Sequence, residues 1–141
     1  MPLQIVVDTN VLVSGLRSQR GAAHKLLRML NDPRWQINVS TALLLEYEEV
    51  LKRAGMIPGL SDQAIDTFLD GICAIATRHS IFYLWRPIAE DPKDDFLLEL
   101  GVRAQADFLI TYNKKDLQAA SLFGITLATP KEFLEQAGEI S

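Results

Sequence analysis

Apolar positions along this chain gather in short continuous runs, separated by longer stretches in which they recur every three or four residues. The runs are Leu3–Val7, Trp35–Val39, Ile81–Trp85, Phe108–Thr111 and, more weakly, Ile125–Leu127. Each has the length of a strand. Ile5-Val6-Val7 and Phe108-Leu109-Ile110 are apolar at every position, which suits burial on both faces of a sheet rather than on one. The intervening segments read as helices. Strand and helix therefore alternate, the pattern of an α/β fold with a mostly parallel sheet covered on both sides. The chain shows neither a repeat of solenoid period nor a low-complexity tract.

The helices carry their own start and stop signals. Ser61 reads as an N-cap with Asp62 in the first turn. From there Ile65, Phe68, Leu69, Ile72, Cys73 and Ala76 form one apolar stripe, so Cys73 reads as a core residue. This helix is expected to reach His79, a cation well placed at a C-terminus. Gly55-Met56-Ile57-Pro58-Gly59 is a loop between helices. Pro130 suits the first turn of a short last helix and Gly138 its end.

Composition narrows the picture further. At 141 residues, 48% of them hydrophobic, the chain has the size and the apolar content of one domain with a real core. Its single cysteine excludes an internal disulfide and points to an intracellular, cytoplasmic setting. No secretory leader is visible at the N-terminus, and no apolar run approaches the roughly 20 residues of a membrane span. A formal net charge of −4 argues against coating nucleic acid through bulk positive charge. It leaves open a site made of carboxylates, where bound cations reverse the local sign.

Acidic residues without a local partner are the candidates for such a site. In the segment Thr41–Ala54, Glu48 precedes Lys52 by four residues and Glu49 precedes Arg53 by four, both favourable helical ion pairs. Glu46 has Val50 in that place and flanks the stripe of Leu43, Tyr47, Val50 and Ala54. Farther on, Glu90-Asp91-Pro92-Lys93-Asp94-Asp95 sets four acids in six residues, just before the apolar helical segment Phe96–Ala104. Capping accounts for one or two of them. Helical spacing puts Asp95 near Glu99, beside an expected Glu99–Arg103 pair, and Asp94 over Leu98 and Gly101 on the packed side, which makes Asp94 the better ligand. Asp8 ends the first strand run, and Asp116 follows the fourth through Tyr112-Asn113-Lys114-Lys115. Ligands of open parallel sheets bind outside the carboxyl ends of the strands, within reach of these residues. Converging carboxylates suit Mg²⁺ or Mn²⁺.

Four segments in order give the chain a resemblance. They are Val6-Val7-Asp8-Thr9-Asn10-Val11-Leu12, Val39-Ser40-Thr41-Ala42-Leu43-Leu44-Leu45-Glu46-Tyr47, Asp91-Pro92-Lys93-Asp94-Asp95-Phe96-Leu97-Leu98-Glu99-Leu100 and Ala106-Asp107-Phe108-Leu109-Ile110-Thr111-Tyr112-Asn113-Lys114-Lys115-Asp116-Leu117. Together they resemble the PIN-domain nucleases, especially the branch of toxins of toxin–antitoxin pairs (VapC-like). The likeness spans about residues 3–134, so residues 1–141 are read as a single PIN-like domain. It implies a three-layer α/β/α sandwich and hydrolysis of RNA phosphodiesters with Mg²⁺ or Mn²⁺, one ion or two. The family's acids map onto Asp8, Glu46 and Asp94. Its fourth region, often Thr-x-Asp, reads Thr111-Tyr112-Asn113 here, with Asp116 three residues later, so either Asn113 or Asp116 faces the metal. Thr9, Asn10 and Thr111 would support the site through hydroxyl and amide hydrogen bonds, and Arg17, Arg20, Lys114 and Lys115 would meet the RNA backbone.

The toxin branch further implies a small antitoxin that covers the cleft, and a homodimer. His24 and His79 lack a zinc-ligand spacing. A haloacid-dehalogenase-type phosphatase would need an aspartate where Asn10 stands, and a dinucleotide-binding domain would need Gly-x-Gly-x-x-Gly after the first strand. The remaining alternative is a nuclease-like fold kept as a protein-binding or regulatory module.

Overall fold

A computed structural model of the chain describes residues 1–80 and 92–140. Its sheet is formed by β1 (Leu3–Val7), β2 (Trp35–Ser40), β3 (Thr77–His79), β4 (Phe108–Ile110) and β5 (Thr126–Ala128). All described pairs are parallel, in the order β3-β2-β1-β4-β5. Ile5 of β1 lies opposite both Ile37 and Phe108, and Val7 opposite Ile110. Ile5, Val6 and Val7 are all fully buried. Neighbouring strand residues point to opposite faces, so both faces of the sheet are covered, as their unbroken apolar run requires.

Helices provide that cover. They are α1 (Thr9–Arg17), α2 (Ala22–Arg28), α3 (Thr41–Leu51), α4 (Asp62–Ile75), α5 (Pro92–Arg103) and α6 (Pro130–Gln136), with a 3₁₀ segment at Lys115–Phe123. Their starts follow local chemistry. The Ser40 hydroxyl caps α3 by accepting from the Leu43 N–H at 3.2 Å, and Ser61 caps α4 by accepting from Ala64 at 3.1 Å. Thr129 and Glu132 close a reciprocal capping box at α6 behind Pro130, as expected of such a pair. The pairs Glu48–Lys52 and Glu49–Arg53 form at 3.3 and 2.9 Å, and Lys52 also reaches Asp66 of α4 at 2.7 Å. Packing between α1 and α2 is close because position 15 is glycine: a Cβ there would lie 2.5 Å from Leu27 Cδ1. No helix among the described residues is long and apolar enough to cross a membrane.

Cys73, expected in the core, is only half-buried, and two expected helix ends need correction. The helix begun at Ser61 stops at Ile75, and His79 belongs to β3 instead. Thr77, Arg78 and His79 pair with Asn38, Val39 and Ser40, so ladder bonds to β2 replace a further helical turn. His79 Nε2 also donates to the buried Asn38 Oδ1 at 2.8 Å. Burial, and then the nearby positive charge of Arg103, hold the His79 pKa below its ordinary value. The second correction concerns the segment beginning at Thr41, which ends as a helix at Leu51 rather than Ala54. The strand expected at Ile81–Trp85 lies outside the described residues.

One topological feature places the site. From β1 the chain proceeds to β2 on one side of the sheet, and from β4 it proceeds to β5 on the other. The adjacent strands β1 and β4 therefore form a switch point, and ligands of such sheets bind in the crevice outside their carboxyl ends. Asp8 and Thr111 are the first residues beyond those two strands. The Asp8 N–H donates to Ile110 O at 2.9 Å, which fixes the lip of the crevice.

Candidate functional site

Asp8 occupies the N-cap position of α1, yet its carboxylate makes no capping hydrogen bond. Its Oδ2 instead accepts from the hydroxyl of Thr111, at 2.7 Å. The same Thr111 oxygen accepts from the Asn113 N–H at 2.9 Å. A single hydroxyl, completely buried, thus orients a carboxylate and shapes the loop after β4. On the other side the Thr9 hydroxyl donates to Glu46 Oε2 of α3. Adjacent Tyr47 is fully buried and donates its hydroxyl to Val7 O at the end of β1. These bonds hold α3 against the end of β1.

These side chains meet in a cleft of about 380 Å³. Its polar lining is Asp8, Thr9, Asn10, Glu46, Asp94 and Asn113, and its apolar wall comprises Val13, Val50, Met56 and Leu97. Five separate parts of the chain contribute: the β1–α1 junction, α3, the loop after it, α5 and the loop after β4. Asp94 enters from the first turn of α5. Its neighbour Asp95 is 5% exposed, more deeply placed than a position on the Glu99 side of the helix implies. Glu99 and Arg103 form no ion pair among the described residues.

The contested fourth position separates clearly in space. Asn113 lines the cleft, whereas Asp116 is an exposed residue at the start of the 3₁₀ segment, outside that lining. Of the basic residues expected to meet a nucleic-acid backbone, Arg17, Arg20 and Lys115 are exposed. Lys114 is engaged by Glu132 of α6, at 2.8 Å. His24 lies away from the acids, its Nδ1 donating to Gly15 O at 2.9 Å.

Electrostatics mark the Asp8–Glu46 part of the cleft as a place where two negative charges meet. Burial raises the Asp8 pKa; hydrogen bonding from Thr111 opposes the rise, and the Glu46 charge adds to it. Burial also pushes the Tyr47 phenol well above its ordinary value, helped by the charges of Asp8 and Glu46, so the hydroxyl stays protonated as a donor. Two acids that share a desolvated pocket favour a cation between or beside them. The donors are all oxygens, which fits hard divalent ions in chemical type. As the side chains stand, no three His, Cys, Asp or Glu residues among the described residues are placed to hold one ion together. The fit therefore lies in donor chemistry and in convergence on one cleft.

Two features here carry little signal in the sequence. Tyr47 reads as a member of the apolar stripe, and only its hydroxyl, set beside a strand end, marks it as an anchor. The apolar wall carried no usable signal, because Val13, Val50, Met56 and Leu97 look like ordinary core positions until the elements are assembled.

The family model described as PIN domain matches residues 4–115. That span contains every cleft residue named above and stops one position short of Asp116. No curated protein matches the chain at a significant level.

Proposed function

The chain belongs to the PIN-domain family, and from that premise we propose that it is a Mg²⁺- or Mn²⁺-dependent endoribonuclease. The observation that carries this reading is the arrival of Asp8, Glu46 and Asp94 from three elements at one cleft, at the switch point of the sheet. These three residues would hold the ion, with Asn113 beside them and Asp116 away from it. A bound ion supplies charge neutralisation at the phosphate and makes water more acidic. The protein's part is positional. Thr111 aims Asp8, Thr9 aims Glu46, and the amides of Asn10 and Asn113 offer hydrogen-bond donors at the floor. Exposed Arg17, Arg20 and Lys115 supply charge for the RNA backbone. Water adds to phosphorus and the 3′ oxygen departs with a proton, leaving 3′-hydroxyl and 5′-phosphate ends.

The resemblance of the four sequence motifs extends the proposal to the cell. There the protein would be the toxin of a toxin–antitoxin pair, active as a homodimer and restrained by a small antitoxin seated over the cleft. A short reading frame immediately upstream of the gene is the first check of that part.

Purified protein incubated with a panel of cellular RNAs is expected to produce 5′-phosphorylated fragments with Mg²⁺ or Mn²⁺, and none after chelation. Protein that neither binds Mn²⁺ nor cuts any RNA would instead be a protein-binding module on a nuclease fold. Thr111→Val tests the positioning role. It removes a donor from Asp8 and an acceptor from the Asn113 N–H, and supporting groups of this kind are typically worth about 10- to 100-fold in metal affinity or rate. A Mn²⁺ titration and kcat/KM should both register that loss, and Thr111→Ser should recover most of it.

A further inference from the structure

The rim of the cleft presents an aromatic ring that neither the core nor the carboxylates require. Tyr112 stands between Thr111 and Asn113, the two residues that shape the loop after β4. It is 48% exposed, whereas Trp35, Tyr47 and Phe133 are buried. The ring is nonetheless tethered. Its hydroxyl lies 3.3 Å from Ser14 Oγ, and its backbone N–H points at Asn10 Oδ1 at 3.5 Å. Both partners are on α1, and Asn10 lines the cleft. An aromatic face is thus held half in solvent, next to Asn10 and Asn113 of the cleft lining.

Along α1, Asn10, Ser14 and Arg17 fall at positions i, i+4 and i+7, which share one helical face. They span about 10 Å along the axis, from the cleft floor, past the Tyr112 hydroxyl, to an exposed cation. The floor itself is recessed: Asp8 is 8% exposed. A phosphate reaching it must come from a strand able to bend inward, and such a strand displays unpaired bases. Proteins hold unpaired bases by stacking them on exposed aromatic rings, while duplex RNA keeps its base faces hidden.

We propose that Tyr112 is the stacking platform for the nucleobase next to the scissile phosphate. The backbone of the bound strand then follows the Asn10–Ser14–Arg17 face of α1. This rests on the nuclease reading above and adds to it a residue that positions the substrate through a base. Tyr112 acts as a positioning and specificity residue, so its loss appears mainly in KM and its contribution depends on there being a base to stack.

The test uses the intact protein with Mn²⁺ and single-stranded oligoribonucleotides. One set carries a fluorescent adenine analogue at successive positions, and another an abasic site at the same positions. Binding is read by quenching and cleavage by steady-state kinetics. Tyr112→Ala should abolish quenching at one position and raise KM on the order of tenfold or more, the size of a single base–aromatic stack. Tyr112→Phe and Tyr112→Trp should restore most of both, since each keeps a π-face and loses only the hydroxyl contact with Ser14. An abasic site at the quenched position should weaken the parent by a similar factor and leave Tyr112→Ala unaffected, the non-additivity of two groups in contact. Equal quenching and kinetics for Tyr112→Ala and the parent would overturn the proposal, as would preferred cleavage of fully paired duplex. Quenching without cleavage by the parent would refute the nuclease reading while leaving the stacking platform standing. Absence of both would remove the two together.

Discussion

Asp94→Asn protein is expected to fold as the parent does and to lose about 10³-fold in kcat/KM for metal-dependent RNA cleavage. The substitution keeps the size of the side chain and replaces an anionic oxygen donor with a neutral amide. Asp94 sits in the first turn of α5 and lines the cleft, so the loss falls on the ion and the phosphate rather than on the core. A bound divalent ion contributes several kcal/mol of charge stabilisation, and about 4 kcal/mol corresponds to that factor. The loss should appear in kcat at saturating RNA, while circular dichroism and the melting temperature stay near the parental values. Asp8→Asn should lose comparable activity with a different stability signature. The Asp8 charge is penalised by burial and by Glu46, so its removal should leave the metal-free protein no less stable. A fully active Asp94→Asn protein would take Asp94 out of the ligand set.

Tyr47→Ala carries the largest expected cost to the fold. Tyr47 is fully buried on α3, packed within the core and hydrogen-bonded to the end of β1. Truncating a buried aromatic residue costs about 3–5 kcal/mol, a large share of the roughly 5–15 kcal/mol that stabilises a typical domain. For a chain of this length the melting temperature should fall by about 10 °C or more. Tyr47→Phe isolates the hydroxyl. It deprives Val7 O of a buried donor, at about 1–3 kcal/mol, and frees the α3 turn that carries Glu46. Thermal melts of the two variants give the ordering, and metal affinity of Tyr47→Phe shows whether the anchor also serves the site. A Tyr47→Ala protein as stable as the parent would contradict the packing described here.

Much of this architecture could be read from local pattern. Ile5-Val6-Val7 specified a strand covered on both faces, and Ser61, Pro130 and Gly138 marked helix boundaries where they occur. The signal failed where two local preferences were balanced. Residues 77–79 continue the helical stripe of α4 acceptably, and only the open edge of β2, with Asn38 facing His79, decides for a strand. Asp95 shows the same limit. An ion-pair pattern on a helix describes the helix alone, while burial depends on what is packed against it.

The sequence by itself determined the α/β class, most of the described elements and the identity of the acidic candidates, because periodicity, capping and charge spacing act over a few residues. Only the tertiary structure brought Asp8, Glu46 and Asp94 to one cleft, set Asn113 there and left Asp116 outside. It alone linked the Thr9 and Thr111 hydroxyls to their carboxylates. Those relations join residues up to 103 positions apart, and they follow from strand order and the switch between β1 and β4, which no local pattern encodes.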